Sequence, residues 1–117
     1  MSEEEIRAFW ERFYSALDAG DAETASSLFP DGTEIYLWDG KTFRTQEEFR
    51  AWFEELRSTS ADASRHITSL KVEGNRADIE VVLRANFKGE EKTVRLRHEA
   101  EFEGDRLVRV EVRIDPL

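Results

Sequence analysis

Residues 93–102 alternate strictly. Val94, Leu96, Ala100 and Phe102 fall on one parity, and Arg95, Arg97, Glu99 and Glu101 on the other. That is the period of a strand with one buried and one solvated face. His98 takes a position on the apolar face. A titratable ring among inward aliphatic side chains needs a hydrogen-bond partner, or it loses solvation without compensation. The rest of the chain must supply that partner and the cavity both would line.

The chain has 117 residues, enough for one domain (1–117) with a real core. It has no cysteine, which excludes a disulfide framework and thiolate chemistry. No apolar run is long enough to span a membrane, and nothing near Met1 has the pattern of a signal peptide. The net charge of -9 argues against nucleic acid and anionic membrane as partners. The expectation is a soluble monomer, cytoplasmic when expressed.

Ser2-x-x-Glu5 is a capping box, followed at helical spacing by Ile6, Phe9, Trp10, Phe13 and Leu17, with Gly20 as the stop. Asp21 caps a short helix over 22–29, ended by Pro30. Residues 33–38 read as a strand, Asp39-Gly40 as a tight turn and 41–43 as its return. Thr45-x-x-Glu48 is a second capping box, opening a helix that carries Phe49, Trp52, Phe53 and Leu56 on one face. Four strands follow, over 65–73, 76–87, 91–103 and 106–115, joined at Gly74-Asn75, Lys88-Gly89 and Gly104-Asp105. Three helices on a curved antiparallel sheet make an α+β fold, a cone with a central cavity. This element order resembles the nuclear transport factor 2-like superfamily, which includes ketosteroid isomerases and polyketide cyclases.

Parity across the turns sets the register. Two-residue loops at Lys88-Gly89 and Gly74-Asn75 place Leu83 opposite Val94, Val81 opposite Leu96, Ile79 opposite His98 and Leu70 opposite Ile79. The last turn breaks parity, because Val108, Val110 and Val112 would meet outward residues. A three-residue loop with a glycine-assisted bulge repairs it and sets His98 opposite Val112. Residues 65–73 change phase between Ile67 and Leu70, which calls for a bulge near Thr68-Ser69. Arg65 then faces inward and His66 outward. Arg65 there needs an anionic partner, or it snorkels to solvent from a strand end.

Tyr14 and Asp18 lie on one flank of the first helix, a turn apart. They either face His98 and Arg65 or sit as boundary and solvated residues. With Arg65 opposite Leu83, the flat-sheet separation of Arg65 and His98 is on the order of 16 Å, which favours two dyads over one cluster. Two histidines on opposite parities do not make a metal site. No nucleophile elbow or glycine-rich phosphate loop occurs. Three tryptophans and eight phenylalanines are core material, and also suit a pocket for a flat aromatic ligand.

Tyr14, Asp18, Arg65 and His98 on this element order resemble the catalytic set of the de novo designed luciferases of the LuxSit type. Arg12-Phe13-Tyr14-x-Ala16-Leu17-Asp18, Leu37-Trp38-Asp39-Gly40 and Glu47-Glu48-Phe49-Arg50-x-Trp52-Phe53-Glu54 are similar to that group. Ser60, Leu96 and Val110 resemble an optimised member. Outward residues of the last three strands differ, as a surface redesign around a retained site would make them. Repeated capping boxes, no cysteine and a single Met suit a designed sequence.

The resemblance implies a luciferase without cofactor or metal. Its partners are dioxygen and an imidazopyrazinone luciferin, a coelenterazine analogue such as diphenylterazine. Tyr14, Asp18, Arg65 and His98 are the implied catalytic residues. The luciferin pocket it implies comprises Phe13, Leu37, Trp38, Phe49, Trp52, Phe53 and Leu56, with Ser60, Val81, Leu83, Leu96, Val110 and Val112. Arg65 suits stabilisation of an anion, Asp18 its orientation, His98 proton transfer and Tyr14 the tautomer of His98. Two other readings stay open: a proton-transfer enzyme of ketosteroid-isomerase type, and a non-catalytic small-molecule binder.

Overall fold

The structure is a computed structural model that describes residues 2–116. Helix α1 (Glu3–Asp18) starts on a complete capping box: Glu5 N–H donates to Ser2 Oγ at 3.2 Å, and Ser2 N–H to Glu5 Oε1 at 3.2 Å. It closes in a Schellman turn, with Gly20 N–H on the Leu17 carbonyl and Asp21 N–H on that of Ala16. Gly20 stands at φ +74°, and a Cβ there would lie 2.8 Å from the Arg57 guanidinium. Helix α2 (Ala22–Ser27) is capped by Asp21.

Helix α3 (Gln46–Thr59) is capped by Thr45, which accepts from Glu48 N–H at 3.1 Å. The second capping box is only half formed. The Glu48 carboxylate reaches past Thr45 N–H to accept from Arg44 N–H and from the Thr45 hydroxyl. Asp31 meanwhile takes Gln46 N–H at 2.7 Å, tying the loop after α2 to the start of α3.

The strands are β1 (Glu34–Tyr36), β2 (Thr42–Phe43), β3 (Ser60–Glu73), β4 (Arg76–Phe87), β5 (Glu90–Glu103) and β6 (Arg106–Pro116). They form one sheet in the order β2-β1-β6-β5-β4-β3. The sheet is mixed rather than wholly antiparallel, because β1 runs parallel to β6, with Ile35 opposite Val110. Strand β1 is only three residues long, and its pairing is set by the long-range path of the chain rather than by a hairpin. The sheet curls without closing, and β2 and β3 are its edges.

The inward register follows the alternation. Leu83 pairs with Val94, Val81 with Leu96, Ile79 with His98 and Leu70 with Ile79. His98 pairs with Val112. The repair between β5 and β6 lies inside the ladder rather than in the loop. Glu103 still faces Arg106 across Gly104-Asp105, and the shift comes between the Phe102–Leu107 and Glu101–Arg109 pairs. Leu107 therefore takes the buried place next to Val110, and Val108 becomes the extra residue.

Strand β3 begins at Ser60, straight out of α3, five residues before the alternation reveals it. It carries two irregularities. One lies between Ala61 and Ser64, where Asp62 has φ +55°; the other lies between Ile67 and Ser69. Thr68 is the extra residue of the second, and its hydroxyl donates to the Glu80 carbonyl at 3.2 Å. The bulges bend the sheet toward α1, which packs on β3.

The core joins the inner sheet face to the helices. Trp10, Phe13, Phe29 and Phe49 pack largely edge to face, with Phe29 and Phe49 at 5.2 Å and 90°. No helix among the described residues is long and apolar enough to cross a membrane.

Candidate active site

A cavity of about 530 Å³ lies between α1, α3 and the concave face of the sheet. Its wall includes Phe13, Leu37, Trp38, Phe49, Trp52 and Leu56. From the sheet, Leu83, Leu96, Val110 and Val112 line it. Phe53 and Ser60 face elsewhere. They border a crevice of about 250 Å³ on the far side of Asp18 and Arg65. The helix direction turns into β3 there, and the Ser60 hydroxyl is spent on the Leu56 carbonyl at 2.9 Å. Val81 keeps the inward parity, yet it is wholly buried in the core and does not reach the cavity.

Two polar pairs link α1 to the sheet across the cavity wall. Tyr14 Oη lies 3.0 Å from His98 Nδ1, both side chains buried. One turn further along α1, Asp18 Oδ1 accepts from Arg65 Nη1 at 2.6 Å, and Oδ2 accepts from Arg65 N–H at 3.0 Å. The Arg65 side chain is 7% exposed and that of Asp18 27%, so Arg65 does not snorkel to solvent. The separation expected along a flat sheet is resolved as two dyads, each using one residue of α1. The i, i+4 spacing of Tyr14 and Asp18 sets the dyads about 6 Å apart along the helix axis. His66 points outward, toward Ser64.

Burial pushes the His98 imidazole down to about 3, and the Arg65 charge pushes it the same way. Burial raises the Tyr14 phenol well above its usual range, against a smaller opposing pull from Arg65. At neutral pH both members are thus uncharged. A neutral imidazole has one N–H and one lone pair. With the ring proton on Nδ1 and donated to Tyr14 Oη, Nε2 is a base. With the phenol donating to Nδ1, Nε2 carries the proton and serves an oxyanion. The direction of the Tyr14–His98 bond and the role open to Nε2 are thereby coupled.

Trp10 completes this corner. Its ring lies 5.3 Å from that of His98, tilted by 40°, and its Nε1 is buried without a hydrogen-bond partner among the described residues. Sequence reasoning placed Trp10 in the core. The signal for its role was the row Trp10, Tyr14, Asp18 at successive i, i+4 positions. Also missed were Phe9, Leu17, Phe87 and the charged rim residues Lys88, Glu90 and Lys92. Among the described residues no group of three or more His, Cys, Asp or Glu side chains is placed to hold a metal ion.

Solved structures share this fold at low sequence identity. A Burkholderia pseudomallei NTF2-like protein of unknown function superposes with a TM-score of 0.84 at 19% identity, covering 98% of this chain and 92% of that one. A Catenulispora acidiphila protein with a ketosteroid isomerase-like fold, in complex with trimethylamine, gives 0.82 at 16% identity over 93% and 85% of the two chains. An LEH-like epoxide hydrolase from M. tuberculosis gives 0.77 at 14% identity over 95% and 83%. A search of curated proteins found no match. The family model described as the SnoaL-like domain matches residues 4–110, and the chain belongs to that family.

Proposed function

We propose that the protein is a cofactor-independent luciferase, designed for a synthetic imidazopyrazinone luciferin such as diphenylterazine. One observation carries the reading: two separate polar dyads, one neutral and one charged, border a single aromatic-walled cavity and share one helix. A volume of about 530 Å³ lies within the range of small-molecule pockets.

In this reading His98 Nε2 takes the proton from the luciferin ring nitrogen, with Nδ1–H donated to Tyr14. The imidazolium formed is disfavoured in the empty cavity and becomes tolerable only beside the anion it creates. Arg65 stabilises that anion, since its charge is permanent and its side chain is largely buried. Asp18 fixes the guanidinium in place. The anion gives its electrons to dioxygen and forms a carbon–oxygen bond. The resulting peroxide attacks the neighbouring carbonyl carbon and breaks its bond to the ring nitrogen, which leaves with the electron pair, to give a dioxetanone. Cleavage of its O–O and C–C bonds releases carbon dioxide and leaves the amide anion excited. Emission returns that anion to its ground state, and it takes back a proton from the imidazolium or from water.

The test is photon counting on purified protein mixed with diphenylterazine. Light above buffer in air, lost under argon and restored on readmitting air, is the expected result. Binding without light would make the protein a small-molecule binder.

A further inference from the structure

The mouth of the cavity differs electrically from the rest of the molecule. Two large apolar side chains are exposed there, Trp38 at 45% and Ile114 at 37%. Beside them the inward parity of β5 runs outward from Leu96 through Val94 to Lys92 and Glu90, and Lys88 stands in the adjoining turn. All three charged side chains are exposed, and none has a hydrogen-bonding or ion-pair partner among the side chains of the described residues. Deeper in, Arg65 keeps its charge, but Asp18 beside it balances it, so the pair adds no net charge to the field at the mouth. Among the described residues the rim therefore holds two unpaired lysines against one unpaired glutamate, on a chain whose net charge is -9. A low-dielectric apolar wall behind such a rim focuses its field into the opening.

We propose that the cavity selects flat aromatic ligands bearing an anionic group, a carboxylate or sulfonate, at the end left in the mouth. Lys88 and Lys92 are then specificity-determining residues, with Trp38 and Ile114 covering the aromatic body. The selectivity belongs to the cavity itself. Its extension to the luciferin, that an acid-substituted imidazopyrazinone outcompetes its parent, rests on the luciferase reading.

Two fluorescent dyes of one framework test it: 8-anilinonaphthalene-1-sulfonate and its uncharged relative N-phenyl-1-naphthylamine. Lys88 has φ +54°, so Lys88→Asn neutralises it with a residue that tolerates that conformation. Combined with Lys92→Gln, it should weaken the sulfonate about three- to tenfold and move the neutral dye less than about twofold. Glu90→Gln should tighten the sulfonate by about twofold or more, and added salt should shrink both effects. Equal affinity of the double variant and the parent protein for the sulfonate, or no saturable sulfonate binding at all, would overturn the proposal. Dye selectivity with no light from any luciferin would support it while overturning the luciferase reading. Light emission with lysine-independent dye binding would do the reverse.

Discussion

Four side chains carry the proposed site, and each is held by what faces it. Arg65 keeps its charge inside the wall only because Asp18 accepts from both its side chain and its backbone. The two substitutions are therefore unequal. Arg65→Ala removes the site's permanent positive charge and should lower emission heavily, by about a hundredfold. Asp18→Ala leaves the cation present but unheld and should lower emission less. It should lower stability by less than the ~3–5 kcal/mol of a wholly buried pair, since the Asp18 side chain stays 27% exposed. In a double-mutant cycle on emission and thermal unfolding the losses should be non-additive. Strict additivity in both would show that the pair acts as two independent residues.

His98 gives a second test at this scale. Its unfolded value is 6.5 and its folded value about 3. Between those values the unfolded chain binds a proton that the folded ring refuses, so acid favours unfolding. The contribution is complete above pH 6.5 and is lost down to pH 3, at up to about 1.4 kcal/mol per pH unit. His98→Leu should show a flatter fall in stability over that window in denaturant titrations at several pH values. The carboxylates of Glu5 and Asp21, both lowered by their capping bonds, cancel in the comparison. Identical slopes would mean that the ring titrates normally.

At the scale of elements, legibility followed the regularity of the strands. The β4–β5 register was readable because alternation is unbroken on both sides of a two-residue turn. The bulge at Thr68 was readable because Ile67 and Leu70 disagree in parity. The start of β3 was not, since residues 60–64 are small or polar and Asp62 interrupts their alternation. Nor was the parallel β1–β6 pair, because three residues joined across the whole chain leave no local signal. Lys88 reads as a turn residue and Lys92 as the start of a strand, so neither signals a pocket rim, though Lys92 shares the parity of Val94. The end of α1 is the element on which the charged dyad depends. Gly20→Ala forces a Cβ onto Arg57 at a positive φ and should cost about 1–2 kcal/mol of unfolding free energy. An unchanged melting temperature would show that the turn relaxes at no cost.

For the whole molecule, a sheet bent by bulges and left open at its edges makes a cavity that a flat sheet on the same helices would lack. The family supplies that shape, and its solved relatives show only the fold. Chemistry comes from what α1 and the sheet place at the wall. The measurement that bears most directly on this is photon flux from diphenylterazine, compared between the parent protein and His98→Ala at saturating luciferin in air. Alanine leaves a small void and no unpaired charge, so circular dichroism should be unchanged. Emission should be bright in the parent and lower by about a hundredfold or more in the variant, the scale of a lost general base. Equal photon flux from the two proteins would contradict the account and return His98 to the core as a packing residue.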